Sequence, residues 1–290
     1  MKSLLTKNKI IAAAVFAAAC IMSALLSVFG VWDSLFLAGG LKNDIDDGSF
    51  GRFVDVGQGD CTVVQSDGKL MLIDTGDENH ASSVFRYIKS LGFDKIDTVI
   101  VTHPHADHIG GLDTLTENMT VDRVYITDDI PADETDKSAY ANFIDRFSGE
   151  ILPVEDMGSF AFGEFNLSLV LCDSLAADEN DRSAVILIEK GEMSFLITGD
   201  ISESDSKINV SADVLKVAHH GSKTGTSAEM LSRVNPKYAV ISVGSDNTFG
   251  HPTDEVLTRL KNVGIKLYRT DCNGTVTFNL TDGLEIDTEY

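Results

Sequence analysis

Four potential metal ligands lie within six residues of the chain. His103, His105, Asp107 and His108 belong to the run I-V-T-H-P-H-A-D-H-I-G-G, which begins as an apolar segment typical of a buried strand. Neutral imidazole and carboxylate are ligands that zinc, manganese and iron(II) accept. In an extended segment the first three would share one face, whereas a loop can direct two pairs of ligands at two neighbouring ions. The spacing therefore predicts a metal site and suits one with two ions.

Other potential ligands follow strand-like apolar runs later in the chain. Asp200 comes after Met193–Thr198, the pair His219 and His220 comes after another such run, and His251 lies in a G-H-P turn. Six of the seven histidines thus occupy positions of this kind, which argues against the ordinary interpretation of isolated core or surface histidines. The ends of strands are also where α/β folds place their functional sites.

The ligand set predicts hydrolysis. Two divalent cations about 3.5–4 Å apart need roughly this many ligands and a bridging group, for which Asp200 is the candidate. Zinc and manganese both fit imidazole and carboxylate, and a pair of such ions lowers the pKa of water toward about 7. His220 is taken as the ligand of the H-H pair, although the spacing does not separate it from His219, and Asp107 is expected to serve both metal and catalysis. His219 or His251, whichever is free of metal, is the candidate general acid for the leaving group.

Apolar periodicity predicts alternating strands and helices from residue 50 onward. Helical spacing favours helices at Ser82–Leu91, Ser138–Phe147, Ala228–Val234 and Thr253–Asn262. Short β-branched runs predict strands, and this order predicts an α/β fold. The main predicted strands are Lys69–Ile73, Ile96–Val101, Arg123–Thr127, Asn166–Cys172, Ser183–Ile188, Met193–Thr198, Val214–Ala218, Tyr238–Val243, Ile265–Arg269 and Thr275–Leu280.

Two segments share one pattern. In each, a hairpin turn precedes an apolar strand that ends near an aspartate, Asp74 in the first and Asp200 in the second, and a later strand leads to histidines. The pattern favours two similar halves around one site, against the alternative that it is the general regularity of α/β chains. Asp74 itself either caps a turn or accepts the N–H of a metal-bound histidine.

The N-terminal part of the chain differs in composition from the rest. Ile10–Trp32 carries no charge and is long enough to cross a bilayer, and three lysines precede it. We expect residues 1–37 to be a membrane anchor or a signal segment, 38–49 a linker and 50–290 the hydrolase domain. The lysines favour a cytoplasmic N-terminus, so the domain would be extracellular and membrane-anchored, or secreted. The alternatives to an uncleaved anchor are a signal cleaved near Cys20 and a buried helix of a soluble protein.

Acidic residues dominate the predicted domain. The whole chain has a formal net charge of −22, and none of its 45 acidic residues precedes Trp32. A general basic surface is therefore excluded, and a nucleic acid would have to be held by bound metal and a few local residues. The acidity also favours solubility of an exported domain. The four cysteines are scattered without a C-x-x-C pair, which argues against a thiolate zinc site and indicates no disulfide framework.

The motifs together resemble the metallo-β-lactamase superfamily, whose signature is H-x-H-x-D-H followed by a distant bridging Asp and a distant His. The run from His103 to His108 matches that signature, and Asp200 matches the bridging residue. A closer likeness, over about residues 50 to 280, is to the exported metallo-hydrolase domain of ComEC-type DNA-uptake proteins. The segments that carry it are Asp55–Asp60, Ile73–Gly76, Leu196–Asp200, Leu215–Ser222 and Gly250–Pro252.

The resemblance implies an αββα sandwich with a two-metal centre between its sheets, and a phosphodiesterase or nuclease activity on nucleic acid. It also implies that Asp74, Asp55 and Asp60 support the metal ligands. The chain departs from the superfamily in having no histidine from 109 to 218, where many members carry one, and it lacks the many membrane spans of the channel proteins. Another ester, a lactam or a choline-phosphate group of the cell wall are alternative substrates, and a non-catalytic binding module associated with competence is an alternative function. The sequence leaves the identity of any protein partner open.

Overall fold

Short β-branched and aromatic runs form the strands of this protein, as their composition predicts. The structure, a computed structural model, describes residues 46–127 and 130–290. Its strands are β1 (Phe50–Phe53), β2 (Thr62–Ser66), β3 (Lys69–Ile73), β4 (Lys95–Ile96), β5 (Thr98–Ile100), β6 (Thr120–Val121), β7 (Arg123–Ile126), β8 (Glu150–Pro153), β9 (Ser159–Phe162), β10 (Phe165–Leu171), β11 (Val185–Lys190), β12 (Met193–Ile197), β13 (Val214–Lys216), β14 (Tyr238–Ile241), β15 (Lys266–Arg269), β16 (Val276–Asn279) and β17 (Glu285–Thr288).

The helices connect these strands. The α-helices are α1 (Ala81–Ser90), α2 (Ala106–Ile109), α3 (Leu112–Asn118), α4 (Glu134–Arg146), α5 (Ala228–Val234), α6 (Asp254–Asn262) and α7 (Thr270–Asn273). Single 3₁₀ turns lie at Val154–Asp156, Asn180–Arg182, Glu203–Lys207 and Ala218–Gly221. The predicted helix at Ala228–Val234 has the predicted bounds, and the others differ by a few residues.

Two sheets face each other. The first has the order β17-β16-β1-β2-β3-β5-β7-β8 and the second the order β15-β14-β13-β12-β11-β10-β9, while β4 and β6 form a separate parallel pair. An apolar cluster that includes Phe53, Ile73, Ile186, Phe195 and Phe278 fills the space between the two sheets. The predicted two-sheet core of an α/β fold is confirmed.

Helices cover the outer face of each sheet. Residues of α1, α3 and α4 join the cluster on the first sheet, through side chains such as Val84 and Leu112. Residues of α5 and α6 join the cluster on the second, through Leu231 and Leu260. Each helix thus buries its apolar stripe against a sheet, which gives four layers.

The two sheets repeat one local topology. In the first, β2 and β3 form an antiparallel hairpin, and β3 pairs in parallel with β5, which leads to His103. In the second, β11 and β12 form the hairpin, and β12 pairs in parallel with β13, which leads to His219. Since β3 runs into Asp74 and β12 into Asp200, the predicted similarity of the two halves is confirmed.

The predicted strand Ile96–Val101 is divided, which corrects the sequence prediction. Asp97 separates β4 from β5 because its carboxylate accepts a hydrogen bond from the Leu70 amide at 3.0 Å, while its own amide donates to the Leu70 carbonyl at 2.8 Å. These bonds redirect the chain between the two-stranded pair and the first sheet.

The predicted anchor, residues 1–37, and residues 38–45 of the predicted linker lie outside the described residues. Within residues 46–127 and 130–290, no helix combines the length and the apolar character that crossing a membrane requires.

Gly111 allows the loop before α3 to pack against the turn after β3. A Cβ at this position would overlap the carbonyl oxygen of Thr75, and the Gly111 amide donates to the Gly76 carbonyl at 3.0 Å. We expect Gly111→Ala to lower the free energy of unfolding by about 1–3 kcal/mol, because the backbone must shift to admit the methyl group. Urea unfolding measures this change, and an unchanged midpoint would show that the overlap is relieved without cost.

Candidate metal centre

The ends of three strands bring the predicted ligands together. His103 follows β5, Asp200 follows β12, and His219 and His220 follow β13. His105 is the N-cap of α2, and Asp107 and His108 lie within this four-residue helix. The H-x-H-x-D-H run is therefore part loop and part helix, and the extended alternative is wrong.

Two groups of predicted metal ligands share His108, and a third group joins it to Asp60 and Asp74. In the first, His103, His108 and Asp200 place one donor atom each within 4.8 Å of one another, and in the second Asp107, His108 and His220 do the same. The Nε2 atoms of His103 and His108 and the Oδ1 atom of Asp200 are buried without a hydrogen-bond partner among the described residues. Because an unpaired buried polar atom is costly, these lone pairs fit the coordination of a cation.

Asp200 lies between the two sides of the cluster. Its Oδ1 is 3.4 Å from His108 Nε2, and its Oδ2 is 3.5 Å from His220 Nε2. Asp107 Oδ2 is 3.1 Å from the same His220 nitrogen. Since Asp200 also groups with His103, it lies between His103 on one side and His108 and His220 on the other, which is the position that a bridging ligand needs.

Burial and neighbouring charges determine the protonation of the cluster. Burial and the proximity of His108 hold the pKa of His103 well below its ordinary value, so its imidazole is neutral. Burial also acts to lower the pKa of His108, but the carboxylates of Asp200, Asp74 and Asp107 together raise it well above its ordinary value. In the protein without cations, a proton on His108 thus offsets part of the negative charge.

Asp74 fixes the orientation of His108. Its carboxylate accepts hydrogen bonds from the amide and the hydroxyl of Thr102, both at 2.8 Å, and lies 2.9 Å from His108 Nδ1. With the proton on Nδ1, the His108 Nε2 lone pair faces the cluster. His220 is held in the same way, since its Nδ1 lies 3.0 Å from the Ser242 carbonyl.

Asp74→Asn tests this support. We expect the affinity for a divalent cation to fall by about 10- to 100-fold, because the amide is a weaker and differently placed partner for His108 Nδ1. Titration of the metal-free protein with zinc or manganese measures the change. Asp97→Asn is the matched control, since Asp97 directly precedes β5 of the same sheet and accepts a hydrogen bond from the Leu70 amide. Equal affinities of the two variants would contradict the assignment.

Asp60 and Lys216 form a buried ion pair under the cluster. Lys216 contacts the Asp60 carboxylate, lies 3.7 Å from Asp200 Oδ1 and donates to the Gly199 carbonyl at 3.1 Å. Asp60 Oδ1 is also 3.5 Å from His220 Nδ1. Burial alone would lower the pKa of Lys216, but Asp60 and Asp200 raise it, so the lysine is charged. Sequence reasoning missed Lys216, and the available signal was a charged residue inside the apolar run of β13.

His105 lies beside the cluster. Its ring centroid is 4.5 Å from that of His103, and its Nε2 is 3.4 Å from Glu179 Oε2 and 4.0 Å from Asp136 Oδ2. It belongs to neither of the two groups of ligand atoms. Its predicted role as a ligand therefore stays a prediction, and Glu179 and Asp136 are neighbours that the sequence did not indicate.

His219 and His251 lie at the other side of Asp200. His219 Nε2 is 3.8 Å from Asp200 Oδ2, and the ring centroids of His219 and His251 are 5.5 Å apart. His219 and His220 both have positive φ angles, 50° and 52°, a conformation that costs a residue with a Cβ on the order of 1–2 kcal/mol. Burial holds the pKa of His219 and of His251 below the ordinary value.

Asp55 lies elsewhere, which corrects the prediction that it supports a ligand. Its carboxylate accepts from the Gly57 amide at 3.0 Å and from the Tyr290 hydroxyl at 3.4 Å. It lines a separate pocket with Tyr87 and Thr275. Asp55 therefore stabilises the turn after β1 through local bonds that an aspartate near glycine commonly makes.

A cleft of about 830 Å³ opens over the cluster. Asp107, Asp200, His105 and His219 lie in its wall, so the ligands are accessible to a substrate. The other acidic residues that line the cleft are Asp77, Glu78, Asp113, Glu134 and Asp136.

Comparison with known protein families matches the part of the chain that contains His103, Asp200 and His220 to one family. Residues 54–245 match the profile described as the metallo-beta-lactamase superfamily. ComE operon protein 3 of Bacillus subtilis is 31% identical, over 78% of this chain and 32% of that protein. Competence protein ComA of Neisseria gonorrhoeae is 29% identical, over 79% of this chain and 32% of that protein. The predicted likeness to competence proteins is confirmed, and the chain spans about a third of the length of these relatives.

Solved structures share the fold. The metallo-beta-lactamase fold protein YhfI from Bacillus subtilis has a TM-score of 0.54 and 16% identity, over 78% of this chain and 98% of that one. A diphosphatase from the PhnP family has a TM-score of 0.51 and 19% identity, over 80% of this chain and 98% of that one. At these identities the likeness concerns the arrangement of sheets and helices.

Proposed function

Because the chain belongs to the metallo-β-lactamase superfamily, we propose that it is a metal-dependent hydrolase that cleaves phosphodiester bonds, with nucleic acid as the leading substrate. The observation that carries the proposal is the convergence of His103, His108 and His220 on the Asp200 carboxylate, where His103 Nε2, His108 Nε2 and Asp200 Oδ1 are buried and unpaired among the described residues. One relative is named a competence protein, and the resemblance of the motifs to DNA-uptake proteins favours nucleic acid over other esters.

The chain's own residues have separate roles in this proposal. His103 and His105 with Asp200 would hold one divalent cation, zinc or manganese, and Asp107, His108 and His220 the other. When bound, the two ions supply a water of lowered pKa and stabilise negative charge on the phosphate. Asp74 keeps His108 oriented. The buried ion pair of Lys216 and Asp60 positions Asp200 and His220. This division leaves His219 and His251 free for proton transfer.

His219 lines the cleft beside Asp200, His251 packs against the His219 ring, and the lowered pKa of each keeps both imidazoles neutral. Each has a buried Nδ1 without a hydrogen-bond partner among residues 46–127 and 130–290. A proton held on one of these rings can pass to the leaving oxygen as the phosphodiester bond breaks. Because the two ring centroids are 5.5 Å apart, each ring can orient the other.

We expect His251→Ala or His219→Ala to lower kcat on DNA by about 10²–10⁴-fold, because the alkoxide leaving group needs a proton. The same variant should retain most of its activity on bis-p-nitrophenyl phosphate, whose leaving group is a weak base. Steady-state assays on both substrates measure the contrast. Equal losses on both would show that the residue holds metal instead of transferring a proton.

The substrate is tested on the full-length protein. After loading with zinc or manganese, we expect turnover of single- or double-stranded DNA and of bis-p-nitrophenyl phosphate, and none of nitrocefin. Turnover of the lactam alone, or of a choline-phosphate ester alone, would replace the proposed substrate. Metal binding without turnover of any phosphodiester would instead favour the non-catalytic module.

The proposed location is outside the cytoplasm, anchored to the membrane or secreted. It is supported by the uncharged run Ile10–Trp32 and the lysines before it. Protease treatment of intact cells tests it, since an extracellular domain is degraded and a cytoplasmic one is protected.

A further inference from the structure

An exposed phenylalanine lies at the mouth of the cleft. Phe249 has 68% of its surface exposed and lines the same cleft as Asp107, Asp200 and His219. It belongs to none of the three apolar clusters of the described residues. Its ring therefore adds little to folding, and an aromatic side chain left in water beside a reaction centre is a candidate for contact with a ligand.

The loop that carries Phe249 is held in place. The Asn247 amide group donates to the carbonyls of Gly244 and His251, at 2.7 and 2.9 Å, and its Oδ1 accepts from the His251 amide at 3.1 Å. The Phe249 ring lies 6.0 Å from the His251 ring, at an interplanar angle of 23°. The loop on either side of Phe249 is thus anchored, and its ring lies nearly parallel to that of a histidine of the site.

Phe249 ends a row of rings that runs through the candidate centre. Neighbouring ring centroids are 4.1 to 6.1 Å apart, in the order His105, His103, His108, His220, His219, His251 and Phe249. At the first end, His105 lies beside Asp136 and Glu179. At the other end, the row finishes with the apolar ring of Phe249.

The difference between the acidic end and the aromatic end of this row would orient a bound polyanion. A phosphodiester chain is repelled by carboxylates, so the part of the substrate beyond the scissile phosphate avoids the end with Asp136 and Glu179. The end with His251 and Phe249 offers it an aromatic face, and a base stacks on such a face with little regard for its sequence.

On this basis, which rests on the proposed function, we propose that Phe249 is the stacking platform for a nucleobase next to the scissile phosphodiester. The residue contributes to recognition of the substrate and takes no part in bond cleavage. It distinguishes a nucleotide substrate from a simple phosphodiester, with preference for single strands, whose bases are free to stack.

The test compares two substrates that share a leaving group. Thymidine 5′-(p-nitrophenyl phosphate) carries a base, and methyl p-nitrophenyl phosphate does not. Loss of one stacked base corresponds to roughly a 5- to 150-fold fall in kcat/KM. We expect Phe249→Ala to show a fall of this size on the first substrate and little change on the second, and Phe249→Trp to retain activity on both. Leu175→Ala is the control, because Leu175 is 93% exposed and is not among the residues lining the cleft.

Binding provides a readout independent of turnover. The affinity of the metal-free and metal-loaded protein for fluorescent oligothymidylate should fall in Phe249→Ala and recover in Phe249→Trp. The proposal would be overturned if the ratio of kcat/KM on the thymidine substrate to kcat/KM on the methyl substrate were the same in wild type and Phe249→Ala. This result would leave phosphodiester hydrolysis itself intact. Failure of the wild-type protein to bind oligothymidylate would overturn it as well, and absence of any phosphodiester turnover would separately refute the proposed function.

Discussion

Asp200→Asn is expected to lower phosphodiester hydrolysis by a factor on the order of 10³ or more, with the fold retained. Asp200 lies between His103 on one side of the cluster and His108 and His220 on the other, and its oxygens are 3.4 Å from His108 Nε2 and 3.5 Å from His220 Nε2. The amide keeps the shape of the side chain but removes the negative charge that would bridge two cations. Charge stabilisation by such ions is worth several kcal/mol, which sets the size of the loss.

The measurement is kcat/KM on bis-p-nitrophenyl phosphate together with circular dichroism of the same preparation. Asp282→Asn is the matched control, since it removes the same charge from an exposed position and should have no effect. A folded Asp200→Asn protein with nearly wild-type activity would contradict the assignment of a bridging carboxylate.

Lys216→Met is expected to have the largest effect on stability, a loss of about 3–5 kcal/mol in the free energy of unfolding of the metal-free protein. The Lys216 side chain is fully buried and is paired with Asp60, which is itself 2% exposed. Removing the lysine leaves the Asp60 carboxylate buried without its main partner and removes a cation 3.7 Å from Asp200 Oδ1.

Urea unfolding of three variants tests this account. Replacing both partners, as Asp60→Leu with Lys216→Met, should recover part of the loss, because no uncompensated charge remains. Lys237→Met is the control, since Lys237 pairs with Asp213 at the surface with 70% of its side chain exposed and such pairs contribute little. A Lys216→Met protein as stable as the control variant would show that the buried pair is not formed.

The sequence predicted the interior of the fold better than its edges. Three of the four outermost strands of the two sheets, β8, β9 and β17, were not predicted, whereas the fourth, β15, which buries Tyr268, was. An edge strand has one neighbour and buries little surface, so its sequence lacks apolar alternation; all four residues of β17 are exposed or half-buried.

The first turn of α4 was also missed by the sequence prediction. Apolar spacing predicted a helix from Ser138, but the helix begins at Glu134, where the Asp133 carboxylate caps it by accepting from the Thr135 amide at 2.8 Å. Its first turn is polar, and an argument from hydrophobic periodicity therefore does not detect it.

Prediction of the candidate site depended on whether a residue stands in a recognisable pattern. His103, His105, Asp107 and His108 were found because their spacing is itself the signal, and Asp74 because it follows a strand. Lys216 and Glu179 acquire their significance only through contacts with residues more than a dozen positions away, the latter lying 3.4 Å from His105 Nε2. Asp55 was assigned by its place in a motif, and its contacts with Gly57 and Tyr290 required the fold to be known.

The most direct test is the number and position of the cations that the wild-type protein binds. We predict two divalent ions per chain by metal analysis, and anomalous diffraction should place both beside Asp200, one next to His103 and the other among Asp107, His108 and His220. A protein saturated with zinc or manganese that binds no ion at these residues, or whose histidine rings turn away from Asp200, would contradict a two-metal hydrolase.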